Sequence, residues 1–126
     1  MNSKDDVNVL NLQEDMREFN ISYMSGQNTL YSANVKASAY TTVNTDYVIL
    51  VDSTNTVTIT LPTAVGRRGK QFFIKDWSGN ANVKNITIAT TSSQTIDGAG
   101  SKTINAAYGK FLVVSDNSNW FVLSGT

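Results

Sequence analysis

The sequence contains no cysteine and no histidine, and only one of its 126 residues is proline. Disulfides are therefore impossible, and the usual ligand sets of zinc, haem and iron–sulfur sites are missing. A Ser–His or Cys–His nucleophile cannot be assembled either. We expect neither a metal nor another cofactor, and we expect stability beyond that of the hydrophobic core to come from association with other chains.

Charged residues are also scarce, at 16% of the chain, and the lysines and arginines balance the acidic residues to a net charge of zero. Nucleic-acid binding relies on an excess of cations, so the composition argues against it. No stretch approaches the ~20 apolar residues that span a bilayer. Residues 1–20 are polar and do not resemble a signal peptide. We expect a soluble protein, made in a cytoplasm, that binds neither nucleic acid nor membrane.

Asparagine, serine and threonine are abundant and together make up a third of the chain. Threonine favours strands because its branched side chain fits a pleated surface. Asparagine and serine favour turns because their side chains hydrogen-bond the nearby backbone. A chain rich in all three predicts an all-β fold of short strands joined by tight turns.

Residues 36–126 carry the strand and turn signals and form the predicted β-rich body. Val57, Ile59 and Leu61 alternate with threonines, which predicts a strand with these three side chains in the core. Turn signals recur every 8–12 residues, as is typical of a small antiparallel sandwich or a barrel-like fold. The predicted strands cover residues 47–51, 56–61, 71–75, 86–88, 102–105, 110–115 and 120–123.

Residues 1–35 differ from the body and form a predicted N-terminal arm. The arm holds two cations against five carboxylates, whereas the body holds eight cations against five carboxylates. Four apolar residues recur at spacings of four, three and four, which would place them on one face of a short helix. Because so short an arm cannot bury this stripe against itself, we predict that it anchors the protein to another surface. The anchoring residues are Leu12, Met16, Phe19 and Tyr23.

An ordered set of short motifs runs through nearly the whole body, over residues 40–123. It resembles a module common in the tail-fibre, spike and head-fibre proteins of tailed bacteriophages. The resemblance implies a trimeric structural protein of the virion that contacts the capsid, collar or tail. A short head fibre, a decoration protein and a tail-fibre or spike subunit all remain open. The motifs are Leu61-Pro62, 66–70, 73–76, 79–81, 85–88, 96–98, Ser115-Asp116 and Asn119-Trp120.

Two groups of body residues are candidates for a subunit or ligand surface. Arg67 and Arg68 lie in the only cationic cluster, which could contact an anionic surface such as a capsid or the acidic arm of a neighbour. Tyr108, Trp120 and Phe121 could bind a partner chain or stack on a sugar. Trp120 and Phe121 are adjacent in a strand and point to opposite faces, so the core takes only one of them if the sheet has a wet face.

Three function classes follow from these features. The first is a structural virion protein attached through its arm, which we favour. The second is an adsorption module that binds host-surface glycans, and a glycan array would separate it from the first. The third is a glycan hydrolase, which needs two carboxylates across a cleft. Because Asp52, Asp97 and Asp116 lie in turn sequences, local hydrogen bonding is the expected use of these carboxylates, and we predict no catalytic residue.

Overall fold

A computed structural model describes residues 33–125, and this part of the chain is all-β and contains no helix. Alternation of apolar and polar side chains accounts for most of the strands, because one side of each strand is buried. The strands are β1 Ala33–Lys36, β2 Tyr40–Thr41, β3 Val48–Val51, β4 Val57–Thr60, β5 Gln71–Asp76, β6 Ile86–Ala89, β7 Ser101–Ile104, β8 Lys110–Ser115 and β9 Trp120–Gly125.

The strands form two sheets that enclose one core, as in a β-sandwich. The five-stranded sheet has the order β1-β3-β5-β8-β9, and the four-stranded sheet has the order β2-β4-β6-β7. The expectation of an all-β sandwich is confirmed at this level. The expectation of an antiparallel fold is correct only for the second half of the body, where β5–β8, β6–β7 and β8–β9 are antiparallel.

The first half of the body is parallel, which corrects the sequence-based prediction. Here β1, β3 and β5 pair in parallel in one sheet, and β2, β4 and β6 do so in the other. The chain crosses to the opposite sheet after each strand from β1 to β5, so it winds in successive coils whose equivalent strands run in the same direction. The same turn residues serve a hairpin or a crossing between sheets, which is why the turn signals did not reveal the difference.

The core lies between the two sheets and is built from their inward-facing side chains. Phe72 and Ile74 of β5 and Ile59 of β4 are fully buried, and so are Ile88 of β6 and Trp120 of β9. The alternation predicted for residues 56–61 is confirmed, because Val57, Ile59 and Leu61 are buried. This single cluster holds both sheets together and fixes which side of each strand faces outward.

The predicted strands of the body correspond to β3–β9, whereas β1 and β2 were not predicted. The turn predicted at Asp97-Gly98 is confirmed: both residues have positive φ, at 51° and 82°, and Ile96 and Ala99 exchange two backbone hydrogen bonds across it.

β1 begins at Ala33, so residues 33–35, which the sequence analysis placed in the arm, form part of the five-stranded sheet. The proposed helix with Leu12, Met16, Phe19 and Tyr23 lies outside the described residues.

Asp46 connects β1, β2 and the segment after β2 through hydrogen bonds. Its carboxylate accepts hydrogen bonds from the Asn34 amide at 2.7 Å, the Tyr40 hydroxyl at 2.6 Å and the Val43 backbone N–H at 2.9 Å. The bond to Asp46, partial burial and the negative charge of Asp46 together raise the pKa of Tyr40 to about 12. The Tyr40 hydroxyl therefore keeps its proton in the folded protein at pH values where an unfolded chain loses it.

We predict that, because of this hydrogen bond, the free energy of unfolding decreases as the pH rises from 10 to 12. Below pH 10, Tyr40 is protonated in both the folded and the unfolded state, and the hydrogen bond contributes fully to stability. Above pH 10, Tyr40 loses its proton in the unfolded state first, which stabilises that state. Tyr40→Phe should cost about 1 kcal/mol at pH 8, a modest value because Tyr40 is only half-buried. The measurement is urea unfolding of both proteins from pH 8 to pH 12. Their difference should shrink with pH, and a constant difference would contradict the assignment.

Candidate interaction surface

The outer face of the five-stranded sheet is unusually apolar. Since Ile49, Phe72 and Val113 point into the core, their neighbours along each strand point outward. Strand register places β1 and β9 side chains on the same outer face, because Val35 pairs with Leu50 and Phe121 pairs with Val114. We call these outward side chains the apolar face; they are Val35, Val48, Leu50, Phe73, Leu112, Val114 and Phe121.

Polar residues on this outer face are few and lie toward its ends. Lys75 and Lys110 are directly opposite each other in the β5–β8 ladder, and Gln71 lies at the other end of β5. The Lys75 side chain also makes an intramolecular contact, because its ammonium group donates a hydrogen bond to the backbone carbonyl of Tyr108. The centre of the face presents Phe73 and Leu112, which pair across β5 and β8, and the next pair on the same face is Lys75 and Lys110.

The outer face of the four-stranded sheet has the opposite character. Thr58, Thr87 and Thr103 pair in one row across β4, β6 and β7. A second row contains Thr41, Thr60, Ala89 and Ser101. All of these side chains are exposed or half-buried. The two outer faces of the sandwich thus differ sharply, one carrying hydrocarbon and aromatic groups and the other carrying hydroxyl groups that water can satisfy.

Asp76 is the most completely engaged carboxylate in the described body. Its side chain is fully buried and accepts hydrogen bonds from the Ser53 hydroxyl at 2.7 Å and from the backbone N–H groups of Gly79, Ala81 and Tyr108 at 3.2, 3.0 and 2.9 Å. Burial raises the pKa of this carboxyl, but the four hydrogen bonds outweigh burial and lower it. Asp76 thereby joins three separate loops at one end of the sandwich.

The remaining carboxylates of the body also serve turns. Asp52 accepts from the Thr54 backbone N–H at 3.1 Å, and Asp97 accepts from the Val122 N–H at 3.1 Å. Asp116 accepts from the N–H groups of Ser118 and Asn119, at 2.9 and 2.8 Å, and these bonds lower its pKa. Together with Asp46 and Asp76, every carboxylate of residues 36–125 is therefore a hydrogen-bond acceptor for loop or strand groups of the same body.

The cationic side chains of residues 66–70 differ in how firmly they are held by hydrogen bonds. Arg67 donates to the Asn44 side chain at 2.7 Å and to the Thr63 carbonyl at 2.9 Å. Lys70 donates to the backbone carbonyls of Asn44 and Asp46, at 2.8 and 2.5 Å, and burial lowers its pKa. Arg68 is exposed and makes only a long contact, 3.4 Å, to the Asp116 carbonyl. Of the two arginines predicted for a surface, Arg68 is the more accessible.

The three predicted surface aromatics do not form one platform. Trp120 is fully buried, packs against Phe72 in a tilted arrangement with ring centroids 5.5 Å apart, and donates from its indole nitrogen to the Pro62 carbonyl at 3.2 Å. Trp120 is thus a core residue and not a surface residue, because its side of β9 faces the other sheet. Phe121 is 40% exposed on the apolar face, as expected if Trp120 takes the core.

Tyr108 is exposed but lies far from Phe121. It precedes β8, whereas Phe121 pairs with Val114 near the other end of that strand, about 20 Å away at ~3.3 Å per residue. Tyr108 has a φ of 60°, and its ring covers Gly79, where an added Cβ would lie 2.5 Å from a ring carbon. Trp77 was not predicted as a surface residue, although it lies two residues after the 71–75 strand signal; it is 51% exposed.

Within residues 33–125 no cluster of acidic side chains has the arrangement of a metal site. The same part of the chain has no helix long and apolar enough to cross a membrane. No protein-family model matches the sequence, and no curated protein matches it either.

Proposed function

We propose that this chain is a structural, non-enzymatic protein of a tailed-bacteriophage particle, present in the virion as a homo-oligomer. In this role it is a short head fibre, a decoration protein, or a tail-fibre or spike subunit. The resemblance in the body motifs suggests a trimer. The arm attaches the protein to the capsid, collar or tail, and the β-rich body projects from that point.

The observation that carries the proposal is the use of the carboxylates. All five aspartates of the described body accept hydrogen bonds from other groups of the body. A glycan hydrolase needs one carboxyl group free to donate a proton and another free to act as base or nucleophile. Carboxylates already committed to backbone donors are suited to holding a rigid scaffold instead.

The motifs that carry the phage resemblance support the same role. Gly79 donates one of the hydrogen bonds through which Asp76 joins three loops. Asp97-Gly98 forms a tight turn, and Trp120 lies in the core. These positions therefore specify a fold and not a reaction. A scaffold module used at several places on a particle requires this kind of residue pattern.

A glycan-binding adsorption module is the weaker alternative. Exposed Tyr108 and Trp77 are the aromatic side chains that favour it, since sugars stack on such rings. The predicted grouping of Tyr108, Trp120 and Phe121 does not exist, however, because one ring is in the core and the other two lie at opposite ends of β8. The structural role therefore accounts for more of the molecule.

We predict that the protein is found in purified virions and that its attachment depends on the arm. Replacing Leu12 and Phe19 together by aspartate should lower the number of copies per particle at least tenfold, because the stripe would lose its apolar contacts. Quantitative mass spectrometry of gradient-purified particles measures this number. The matched control replaces the polar neighbours Asn11 and Asn20 by aspartate and should retain normal occupancy.

Two results would count against this proposal. One is purified particles that lack the protein although infected cells contain it. The other is normal occupancy by the Leu12 and Phe19 variant, which would reject the anchoring role of the arm while leaving a virion location intact.

A further inference from the structure

We propose that one end of the five-stranded sheet, where β5 ends and β8 begins, binds an acidic carbohydrate. The site consists of two exposed rings, Trp77 and Tyr108, and two lysines, Lys75 and Lys110, and we call it the ring–lysine site. This ligand goes beyond the proposed structural role, and it gives the glycan-binding alternative a location other than the one predicted from the sequence. Binding requires only the chain itself and no attachment to a particle.

Strand register places the two lysines and Trp77 side by side on the outer face. Lys75 and Lys110 are directly opposite each other in the antiparallel β5–β8 ladder, so their side chains share one face. The backbone N–H groups of Phe73 and Trp77 both donate toward β3, over 2.7 and 2.8 Å. Residues of one strand that donate to the same neighbour have side chains on the same face, so Trp77 follows Phe73 and Lys75 outward.

Tyr108 brings its ring to the same place from the other strand. The β5–β8 register, continued past its last pair, puts Tyr108 across from Trp77. The Lys75 ammonium group lies 5.8 Å from the centre of the Tyr108 ring. The ring covers Gly79, where the absence of a side chain leaves room for it. Trp77 and Tyr108 are 51% and 59% exposed, so a ligand can reach both.

The backbone of Tyr108 is held in a conformation that does not suit tyrosine. Its φ of 60° is unfavourable for a bulky side chain, whereas asparagine adopts it readily. The Tyr108 N–H donates to Asp76 at 2.9 Å, and the Tyr108 carbonyl accepts from Lys75. An exposed ring gains little from burial, so packing alone does not explain a tyrosine here. Backbone strain of this kind is concentrated at binding sites, where it fixes a side chain before the ligand arrives.

The lysine pair favours an anion. Like charges directly opposite each other in a sheet repel, and an anion between the two ammonium groups would relieve that repulsion. Asp76 points into the body and accepts four hydrogen bonds there. Asp52 follows β3 at the rim of the site and accepts from the Thr54 N–H and hydroxyl, at 3.1 and 2.5 Å. Among the described residues, the neighbouring carboxylates are thus engaged elsewhere, and the lysine pair is available to an anion from outside.

A carbohydrate that carries a carboxylate matches both parts of the site. Sugar rings present C–H groups that stack on aromatic rings, and a carboxylate on the same sugar would reach the lysines. Single-stranded nucleic acid also combines stacking groups with anions, but its affinity comes mainly from many phosphate contacts. A site with two lysines, in a chain with a net charge of zero, does not offer those contacts.

The test is isothermal titration calorimetry of the purified full-length chain with three acidic oligosaccharides: tetragalacturonate, hyaluronan hexasaccharide and trisialic acid. At least one should bind with a Kd under about 1 mM, and its neutral methyl ester should bind at least ~10-fold more weakly. An oligothymidylate of similar length should bind more weakly than the acidic sugar.

Removing either ring should weaken binding of that oligosaccharide at least ~10-fold while the protein stays folded. Trp77→Ala removes an exposed side chain. Tyr108→Asn removes the ring and introduces a residue that favours positive φ, so the denaturant midpoint should stay the same or rise. A tyrosine required for folding alone would give a lower midpoint, so this variant separates binding from a structural role. Lys75→Gln combined with Lys110→Gln should weaken binding by a similar factor.

Matched controls lie toward the other end of the sandwich. Arg68→Gln removes an exposed cation from residues 66–70, and Phe121→Ala removes a partly exposed ring from β9. Both should retain the wild-type Kd. Circular dichroism establishes that each variant is folded.

Several results would overturn the inference. They are no acidic oligosaccharide bound with a Kd under about 1 mM, equal binding of the acid and its methyl ester, tighter binding of oligothymidylate, unchanged binding by the folded ring or lysine variants, and loss of binding in a control. Because the titration uses no particle, its failure leaves a virion location intact, and absence of the chain from virions leaves the ring–lysine site intact.

Discussion

Replacing Asp76 by asparagine should lower the free energy of unfolding by about 3 kcal/mol, because the change leaves buried N–H donors without an acceptor. One carboxylate oxygen accepts from Ala81 and Tyr108, and the other accepts from Ser53 and Gly79. An asparagine amide offers a single acceptor oxygen. Either orientation of the amide places its NH₂ group against at least one backbone N–H that cannot turn away.

The loss should extend to the loops that Asp76 joins. Tyr108 has a φ of 60°, a conformation that is unfavourable for a residue with a bulky side chain, and its backbone N–H donates to Asp76. The carboxylate therefore helps to hold this strained residue in place. Hydrogen exchange should show faster exchange at the Tyr108 and Ala81 amides in Asp76→Asn.

The same carboxylate predicts acid sensitivity. Its pKa is lower in the folded protein than in the unfolded chain, so its contribution is complete above the unfolded value and is lost as pH falls through the folded value. Urea unfolding from pH 6 to pH 2 should show a decline for the wild type that is smaller in Asp76→Asn. Asp52→Asn is the control, since Asp52 serves an exposed turn and its replacement should cost under about 0.5 kcal/mol. Equal costs for the two substitutions would contradict the special role of Asp76.

Replacing Trp120 by alanine should lower the free energy of unfolding by about 4 kcal/mol, within the usual range for removing a large buried aromatic side chain. Trp120 is fully buried, contacts Phe72 and satisfies the Pro62 carbonyl. Its removal leaves a cavity between the two sheets and an unpaired carbonyl. A loss of this size is a large part of the 5–15 kcal/mol that stabilises a typical domain.

The chain contains a matched control for this substitution. Trp77 is the only other tryptophan, and it is 51% exposed. Trp77→Ala removes the same side chain from the surface and should cost under about 1 kcal/mol. Denaturant unfolding of both variants at one protein concentration measures the difference, because association would otherwise shift the apparent stability. Similar losses for both variants would contradict the placement of Trp120 in the core.

Strand positions were the most predictable part of the fold, because alternation of side chains is a local property. The strict pattern at Val57, Ile59 and Leu61 places these residues in the core without reference to any other segment. β1 and β2 were missed for a related reason. They are short edge strands of four and two residues, and partial exposure leaves no clear alternation to detect.

The direction of strand pairing was not predictable from local signals. Turn residues such as those at 52–55 show where the chain bends but not whether it returns to the same sheet or crosses to the opposite one. That choice depends on which strand is available as a neighbour, which is decided by packing of the whole body. The parallel pairs β1–β3 and β2–β4 therefore emerged only from the structure.

The candidate surface was predicted only in part. Adjacent positions in a strand face opposite ways, so the sequence required Trp120 and Phe121 to differ, but it did not say which of them was buried. The apolar face was missed because Val48 and Leu50 belong to a continuous apolar run, which reads as a strand covered on both sides. Among the described residues, only the inner side of this strand is covered by the other sheet.

The amino-acid sequence by itself determined that the body of this protein is all-β, that the chain has no cysteine or histidine, and that apolar side chains alternate with hydroxyl side chains along its strands. These properties follow from composition and from the two-residue period of a strand. The tertiary structure alone decided that β1 to β6 alternate between the two sheets, that Asp76 joins distant loops, and that outward apolar side chains from five strands meet on one face. These properties depend on residues far apart in the chain, which no local pattern brings together.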